Sequence, residues 1–263
     1  MADGVIPERR LHRSKFLLAY FVLAAIVGIA VAAFVVFAQT DSTRTPAAAA
    51  ADGPPAAWNG FRPQGFEADQ VHQIATYIAS TYHLPGGHEL VAVKASIPPS
   101  YQNTLVITDY AVSISSGGQS SYDVIPAANS VSYELCGLGK QCAIASGKPS
   151  VARSRLLRRE ALELALYTFH FEPSIQTVVT YMPPAPGDKA SFVLLFLRSQ
   201  LAGALARPIS ATLPETKPPL PDAMSTTEAT RVDGLTAPDL YRFSFTRGQD
   251  GGVWLVFNPP TDS

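Results

Sequence analysis

A run of 23 residues without a charged side chain constrains this chain more than any other feature of its sequence. It extends from Phe16 to Ala38 and reads FLLAYFVLAAIVGIAVAAFVVFA. As a helix it would be about 35 Å long, which exceeds the roughly 30 Å hydrocarbon core of a bilayer. The apolar core of a cleaved signal peptide is shorter, at about 7–15 residues. We therefore predict a retained transmembrane helix over residues 16–38, with the lipid bilayer as its partner.

The charges on either side of this segment predict its orientation. Basic residues concentrate before it: Arg9, Arg10, Arg13 and Lys15. Arg44 is the only basic residue in residues 39–61. Because cytoplasmic flanks carry the excess of Lys and Arg, we expect residues 1–15 to form a cytosolic basic tail and the C-terminal domain to be extracytoplasmic. The predicted location is the cell membrane, crossed once, with a tail too short for an enzymatic domain.

Three small residues recur every four positions within the apolar segment: Ala24, Gly28 and Ala32. Such a stripe lets two helices pack closely, so a homodimer through it is one hypothesis. An Ala-rich segment also produces this spacing by chance, and in that alternative the helix contacts lipid alone.

The net charge and the asparagine contexts restrict the kinds of molecule and cell compartment that this protein is expected to encounter. The formal net charge is −1, which gives no reason to expect a nucleic acid. None of the asparagines has a Ser or Thr two positions further on, so the chain lacks an N-glycosylation acceptor. This absence favours a bacterial cell envelope over a eukaryotic secretory route.

Beyond the apolar segment the sequence predicts a linker and one folded domain. Residues 39–63 are rich in Ala and Pro, which is typical of a semi-extended linker. Residues 64–258 are expected to form an extracytoplasmic domain, and helical spacing of apolar residues predicts helices over 67–82 and 151–169. A short helix is expected over 199–206, whereas the Pro- and Thr-rich segment 207–239 is expected to be irregular.

Strand-like runs occupy much of the remaining domain: 90–97, 105–114, 122–135, 175–182, 192–197, 241–245 and 253–257. Helices and strands do not alternate regularly along the chain. This order predicts an α+β fold in which two main helices pack on a mostly antiparallel sheet.

Two cysteines, Cys136 and Cys142, enclose a five-residue loop that contains Gly137 and Gly139. In an exported domain such cysteines most simply form a disulfide bond. The glycines are expected to supply the positive φ angles of a tight loop. Reduced core thiols and redox chemistry are the alternatives, although redox motifs place two residues between the cysteines.

A basic cluster surrounds the start of the second predicted helix: Lys140, Lys148, Arg153, Arg155, Arg158 and Arg159. Ser150 is expected to cap this helix. Because a helix N-terminus presents free N–H groups to anions, we hypothesise an anion-binding site. Its residues would be Lys140, Lys148, Ser150, Arg153 and Arg155. The ligand would be an anionic envelope polymer, a lipid head group or a partner protein.

The alternative interpretation gives these arginines a structural role. Arginine stems often cover apolar surface, and their guanidinium groups pair with acidic residues elsewhere in the fold. Glu163 follows Arg159 by four residues, the spacing at which side chains on one helix meet.

Catalytic and metal-binding motifs are not recognisable. The sequence lacks a Gly-x-Ser-x-Gly elbow, a Ser-x-x-Lys pair, a His-Glu-x-x-His helix and a Walker loop. Three histidines lie near one another, His72, His83 and His88, but a metal site would also need His170, so no metal or cofactor is predicted. Carboxylates such as Asp109, Asp123 and Glu134 would form a glycosidase-like pair only if the fold brought them together.

These features predict a non-enzymatic, single-pass membrane protein whose extracytoplasmic domain binds or scaffolds a component of the bacterial cell envelope. One alternative is a membrane-anchored hydrolase of envelope material, which convergence of two carboxylates, or of Ser with His, in one pocket would favour. The other is a ligand sensor that signals through the anchor to a cytosolic partner.

Overall fold

The structure is a computed structural model that describes residues 58, 60–116, 119–145, 149–214, 217–249 and 251–260. The predicted cytosolic tail, the predicted transmembrane helix and most of the predicted linker lie outside these residues, and so do Ala24, Gly28 and Ala32. Among the residues described, none of the helices has both the length and the hydropathy that crossing a bilayer requires.

Five α-helices lie in the described part of the chain: α1 (Glu67–Ala79), α2 (Val151–Phe171), α3 (Arg198–Leu205), α4 (Ile209–Thr212) and α5 (Thr226–Thr236). α1 and α2 are the two main helices that the sequence predicts. The side chain of Ser150 accepts a hydrogen bond from the Arg153 backbone N–H at 3.1 Å, which confirms the expected cap of α2.

The segment 207–239 contains α4 and α5, so the expectation that it is irregular was wrong. Its Thr- and Pro-rich composition has a low helix propensity, which hid both helices. A sequence signal for the start of α5 does exist, because Ser-Thr-Thr-Glu at 225–228 has the capping-box pattern. The side chain of Ser225 accepts a hydrogen bond from the Glu228 backbone N–H at 3.3 Å.

The same part of the chain contains ten strands: β1 (Ala92–Ser96), β2 (Ser100–Tyr101), β3 (Leu105–Val106), β4 (Asp109–Ser116), β5 (Gln119–Pro126), β6 (Ser130–Cys136), β7 (Thr177–Tyr181), β8 (Phe192–Leu197), β9 (Leu240–Arg247) and β10 (Val253–Asn258). Eight form one sheet in the order β1-β6-β7-β8-β9-β10-β4-β5, and β2 pairs with β3 in a separate hairpin. Within the sheet, β6/β7 and β10/β4 are parallel pairs and the others are antiparallel. α2 is the crossover that a parallel β6/β7 pair needs.

The strand order requires the sheet to curl strongly. β6 and β5 stand second and eighth in it, which would separate them by roughly 29 Å in a flat sheet. Yet only the short turn Ala127–Asn129 joins the end of β5 to the start of β6, and that connection spans at most about 15 Å. The sheet therefore bends back on itself, and the Tyr110 hydroxyl on β4 lies 2.7 Å from the Ser130 hydroxyl on β6.

The two faces of the curled sheet are covered differently. On the convex face, Val178 and Phe196 belong to a core that the helices complete. The concave face encloses a second apolar cluster that includes Leu195 and Phe257. The described residues thus form a mixed α/β domain with a large, mostly antiparallel sheet and a few helices, which agrees with the predicted class at this level.

Candidate functional site

A cavity of about 670 Å³ opens on the concave face of the sheet. Residues of β1, β6, β7 and β9 line it, together with the β2–β3 hairpin, the loop between the two cysteines and the loop between β7 and β8. This volume falls within the range of about 300–1,000 Å³ that small-molecule sites occupy. The curl of the sheet creates the hollow, and the three loops form its rim.

Four aromatic rings form one side of the cavity, named here the aromatic wall: Tyr101, Tyr181, Phe243 and Phe245. Phe243 and Phe245 share the inner face of β9, because alternate residues of a strand point to the same side. Tyr101 comes from the β2–β3 hairpin, and its ring centroid lies 4.9 Å from that of Tyr181, 5.6 Å from that of Phe243 and 5.2 Å from that of Phe245. The four rings pack against one another and give this side of the cavity its apolar character.

The hydroxyl of Tyr181 is unusual among the buried tyrosine hydroxyls of the concave face. The Tyr110 hydroxyl pairs with Ser130, whereas that of Tyr181 is buried and has no hydrogen-bond partner within the described residues. Burial raises the pKa of Tyr181 well above its ordinary value, and the nearby Tyr110, Tyr101 and Glu134 raise it further. Tyr181 is therefore a neutral hydrogen-bond donor, and leaving such a group unpaired costs about 1–3 kcal/mol.

Charged side chains of both signs line the same cavity. Lys94 on β1 and Glu134 on β6 are cross-strand neighbours. Asp188 and Lys189 follow one another in the β7–β8 loop. Burial raises the pKa of Glu134, and Lys94 opposes that rise. Two ammonium groups thus balance two carboxyl groups, and the described lining of the cavity has no net formal charge at neutral pH.

The predicted disulfide bond between Cys136 and Cys142 is confirmed, and its loop forms part of the rim of the cavity. The two Cα atoms are 4.3 Å apart. Cys142 itself lines the cavity beside Gln141, and the Lys94 ammonium lies 3.7 Å from the Cys142 sulfur. The disulfide therefore ties the rim directly to β6 and to the charged side of the cavity.

The glycines of this loop have a different role from the expected one. The residues with positive φ are Gln141 at 55° and Cys142 at 58°, so the expectation for Gly137 and Gly139 was wrong. Glycine is needed here for steric reasons, because a Cβ atom on Gly137 would overlap the carbonyl oxygen of Ala143. The Gly139 N–H donates to that same oxygen at 2.8 Å.

The residues of the predicted anion site lie in different places. Ser150 and Arg153 line a second, smaller cavity of about 290 Å³ at the start of α2. Lys140 is exposed on the disulfide loop, and Lys148 lies outside the described residues. Arg155 is bound to an aspartate of α5. The structure thus brings Ser150 and Arg153 together, and an anion site there stays a prediction.

Arg155 and Arg158 both bind Asp233 of α5. Arg155 donates from Nε and Nη2 to the carboxylate, at 3.0 and 2.8 Å from Oδ2. Arg158 donates from Nη2 to Oδ1 at 2.6 Å and from Nη1 to the Thr236 hydroxyl at 2.8 Å. Hydrogen bonding from Arg155 lowers the pKa of Asp233, although partial burial opposes this. These contacts agree with the alternative in which the arginines pair with acidic residues elsewhere.

Arg159 forms the buried part of the same α2–α5 contact. It donates to Glu228 of α5 at 2.6 Å and to Glu163 at 2.9 Å, which confirms the pairing expected from the i,i+4 spacing. It also donates to the hydroxyl of Tyr82, which in turn donates to Glu163 at 2.6 Å. A helix that the sequence analysis missed is thus the partner of the basic cluster.

The histidines do not assemble into a metal site in the described part of the chain. No group of three His, Cys, Asp or Glu side chains there lies close enough to hold a metal ion. His170, which a metal site would have needed, instead stacks on Trp58 with ring centroids 4.1 Å apart.

The sequence analysis did not predict most of the residues that line the large cavity. Of the carboxylates Asp109, Asp123 and Glu134, only Glu134 lines it, and the second carboxylate is Asp188. The alternation of apolar and polar residues around Phe243 and Phe245 in β9 was a sequence signal for one apolar face of this strand. The sequence contains no signal that would bring a residue of the Pro-rich β7–β8 loop to this face.

Comparison of the chain with protein-family models, with curated proteins and with solved structures returns no match. The geometry of the site and the sequence therefore carry the functional argument.

Proposed function

We propose that this chain is a single-pass, membrane-anchored binding protein of the bacterial cell envelope, and that its extracytoplasmic domain takes a small ligand into the large concave cavity. The observation that carries the binding role is the combination, in one cavity, of an aromatic wall with convergent polar groups. Pockets of this size with apolar walls and a few placed polar groups are the usual form of ligand sites.

The anchor and its orientation are supported by the sequence. Residues 16–38 lack charge, and the basic residues concentrate on the N-terminal side. The Cys136–Cys142 disulfide gives independent support, because such bonds persist in oxidising compartments outside the cytoplasm. Homodimerisation through the predicted helix remains a separate prediction.

Topology is tested with reporters fused after Ser263. We expect alkaline phosphatase, which needs export, to be active, and green fluorescent protein, which fluoresces when it folds in the cytoplasm, to be dark. A fluorescent fusion with inactive phosphatase would place the domain inside the cell and remove the proposed location.

Ligand binding is tested by thermal denaturation of the full chain with a low-molecular-weight extract of bacterial envelope. We expect the extract to raise the Tm of the wild type and of Tyr122→Ala, since Tyr122 is 52% exposed and does not line the cavity. The Tm of Phe243→Ala should not rise, because this change removes part of the aromatic wall. Equal shifts in all three proteins, or none in any, would reject the cavity as the binding site.

A hydrolase is the second candidate, and one observation favours it. Glu134 and Asp188 line the same cavity, and burial raises the pKa of Glu134, which is the direction that a general acid needs. The test is incubation of the protein with isolated envelope polymer, followed by mass spectrometry of soluble products. Products from the wild type that are absent with Glu134→Gln would support hydrolysis, whereas no release by the wild type would leave binding as the role.

A further inference from the structure

We infer that the ligand of the large cavity is an uncharged saccharide, whose apolar face stacks on the aromatic wall while its hydroxyl groups bond to the polar side. This inference rests on the proposed binding function and specifies its ligand class. It follows from three properties of the cavity: its aromatic surface, its mixture of donors and acceptors, and its balanced charge.

The aromatic wall suits the face of a sugar ring. Ring faces of Tyr and Phe carry partial negative charge, and the C–H bonds on one side of a pyranose present partial positive charge to them. Phe243 and Phe245 are half-buried and line the cavity from alternate positions of one strand, with ring centroids 5.5 Å apart.

The polar side supplies both kinds of hydrogen-bonding group that a hydroxyl uses. Lys94 donates, Glu134 accepts, and the amides of Gln102 and Gln141 do both. A purely apolar ligand would desolvate these groups without replacing their hydrogen bonds, at a cost for each. A ligand with many hydroxyls replaces the lost water bonds, and this difference favours a polyol.

The charge of the cavity argues against ionic ligands. Lys94 and Lys189 would attract an anion, but Glu134 and Asp188 would repel it with equal formal charge. A quaternary cation needs a cage whose rings stand apart, with each centroid within about 6 Å of the cation. Here the rings of the wall pack against one another, 4.9 Å apart for the closest pair that involves Tyr101, which leaves no space between them.

The test is isothermal titration of the full chain, in a detergent without a sugar head group, with five probes. Chitotriose and mannotriose are the uncharged saccharides. Choline, inorganic phosphate and benzyl alcohol represent a cation, an anion and an apolar ligand. We expect at least one trisaccharide to bind and the other three probes not to compete with it.

Variants locate the binding in the cavity. Phe243→Ala should weaken saccharide binding at least tenfold, and Tyr122→Ala should leave it unchanged. Because Phe243→Ala also alters packing, a variant of conserved shape is included: Glu134→Gln should weaken binding severalfold while the protein stays folded by circular dichroism.

The outcomes separate this inference from the proposed function. Failure of both trisaccharides to bind, or equal affinity in wild type and all cavity variants, overturns the saccharide assignment. Tight binding of choline, phosphate or benzyl alcohol in the cavity overturns it in favour of that ligand class. If the envelope extract still raises the Tm of the wild type but not of Phe243→Ala, the binding function stands and only the ligand class falls.

Discussion

Arg159 of α2 and Glu228 of α5 form an ion pair, with Nε and Oε1 2.6 Å apart and side-chain exposures of 1% and 0%. Glu163 and the Tyr82 hydroxyl also bind the guanidinium group. This pair joins a helix that the sequence predicted to one that lies in the Thr-rich segment expected to be irregular.

Arg159→Leu is expected to destabilise the domain by about 3–5 kcal/mol, because it removes the buried cation that Glu228 and Glu163 bind. Urea denaturation of the full chain in mild detergent, followed by far-UV circular dichroism, measures the change. Arg155→Ala is the control: Arg155 binds the partly exposed Asp233, and such pairs contribute about 0–1 kcal/mol. Similar losses in both variants would contradict a dominant role for the buried pair.

Two tyrosines of the concave face should differ in how the loss of their hydroxyl groups changes the stability of the domain. Tyr110→Phe removes the hydrogen bond with Ser130 and should cost about 1 kcal/mol. Tyr181→Phe removes a hydroxyl without a partner among the described residues and should leave stability unchanged or raise it by about 1 kcal/mol. The measurement is the urea midpoint of each variant, and a clear loss for Tyr181→Phe would mean that this hydroxyl has a partner.

Glu160 and Glu163 offer a second matched pair on α2. Neither carboxyl oxygen of Glu160 has a hydrogen-bond partner within the described residues, and burial raises its pKa well above the ordinary value. Glu160→Met should therefore stabilise the domain by about 1–2 kcal/mol at pH 7, since it removes an unpaired buried polar group. Glu163→Met should destabilise it, because Glu163 accepts from Tyr82 and Arg159. Thermal denaturation of both variants distinguishes them, and equal effects would reject the difference.

Stability should depend on pH through Asp239. Burial raises its pKa to about 6, above the 3.8 of an ordinary Asp. The folded state therefore binds this proton more tightly than the unfolded state does, so the contribution of Asp239 to stability is largest below about pH 4 and is lost as the pH rises to about 6.

Asp239→Asn is expected to be more stable than the wild type by about 1–2 kcal/mol at pH 7 and equal to it at pH 4, with the gain limited because solvent screens a partly exposed group. Urea midpoints from pH 4 to pH 7.5 measure the difference between the two proteins. A difference that does not change with pH would mean that Asp239 titrates normally.

The disulfide should stabilise the domain by restricting the unfolded chain. For the seven residues from Cys136 to Cys142, the chain-entropy relation gives about 2.4 kcal/mol. Replacing both cysteines by Ser should lower the free energy of unfolding by about this amount and should move Gln141, which lines the cavity beside Cys142. Denaturation with and without reductant checks the wild type, and a reductant effect on the double variant would indicate another cause.

The sequence alone determined the features that depend on residues close together in the chain. Apolar spacing is enough to predict α1 and α2, because burial of one helix face follows directly from a 3.6-residue period. Ser150 as a cap and Cys136 with Cys142 as a disulfide were likewise readable, since each depends on residues that are close in the chain. The charge-free segment at 16–38 and its basic flank are also local features, and the anchor that they predict lies outside the described residues.

Only the tertiary structure decided the candidate site. Glu134, Tyr181 and Phe243 are far apart in sequence, and they meet because β6, β7 and β9 stand second, third and fifth in one curled sheet. The tertiary structure also determined which groups Arg155 and Arg159 bind, because their partners lie on α5, about 70–80 residues further along the chain. Residue spacing cannot reveal such contacts, since the strand order and the packing of distant helices depend on the free energy of the whole core.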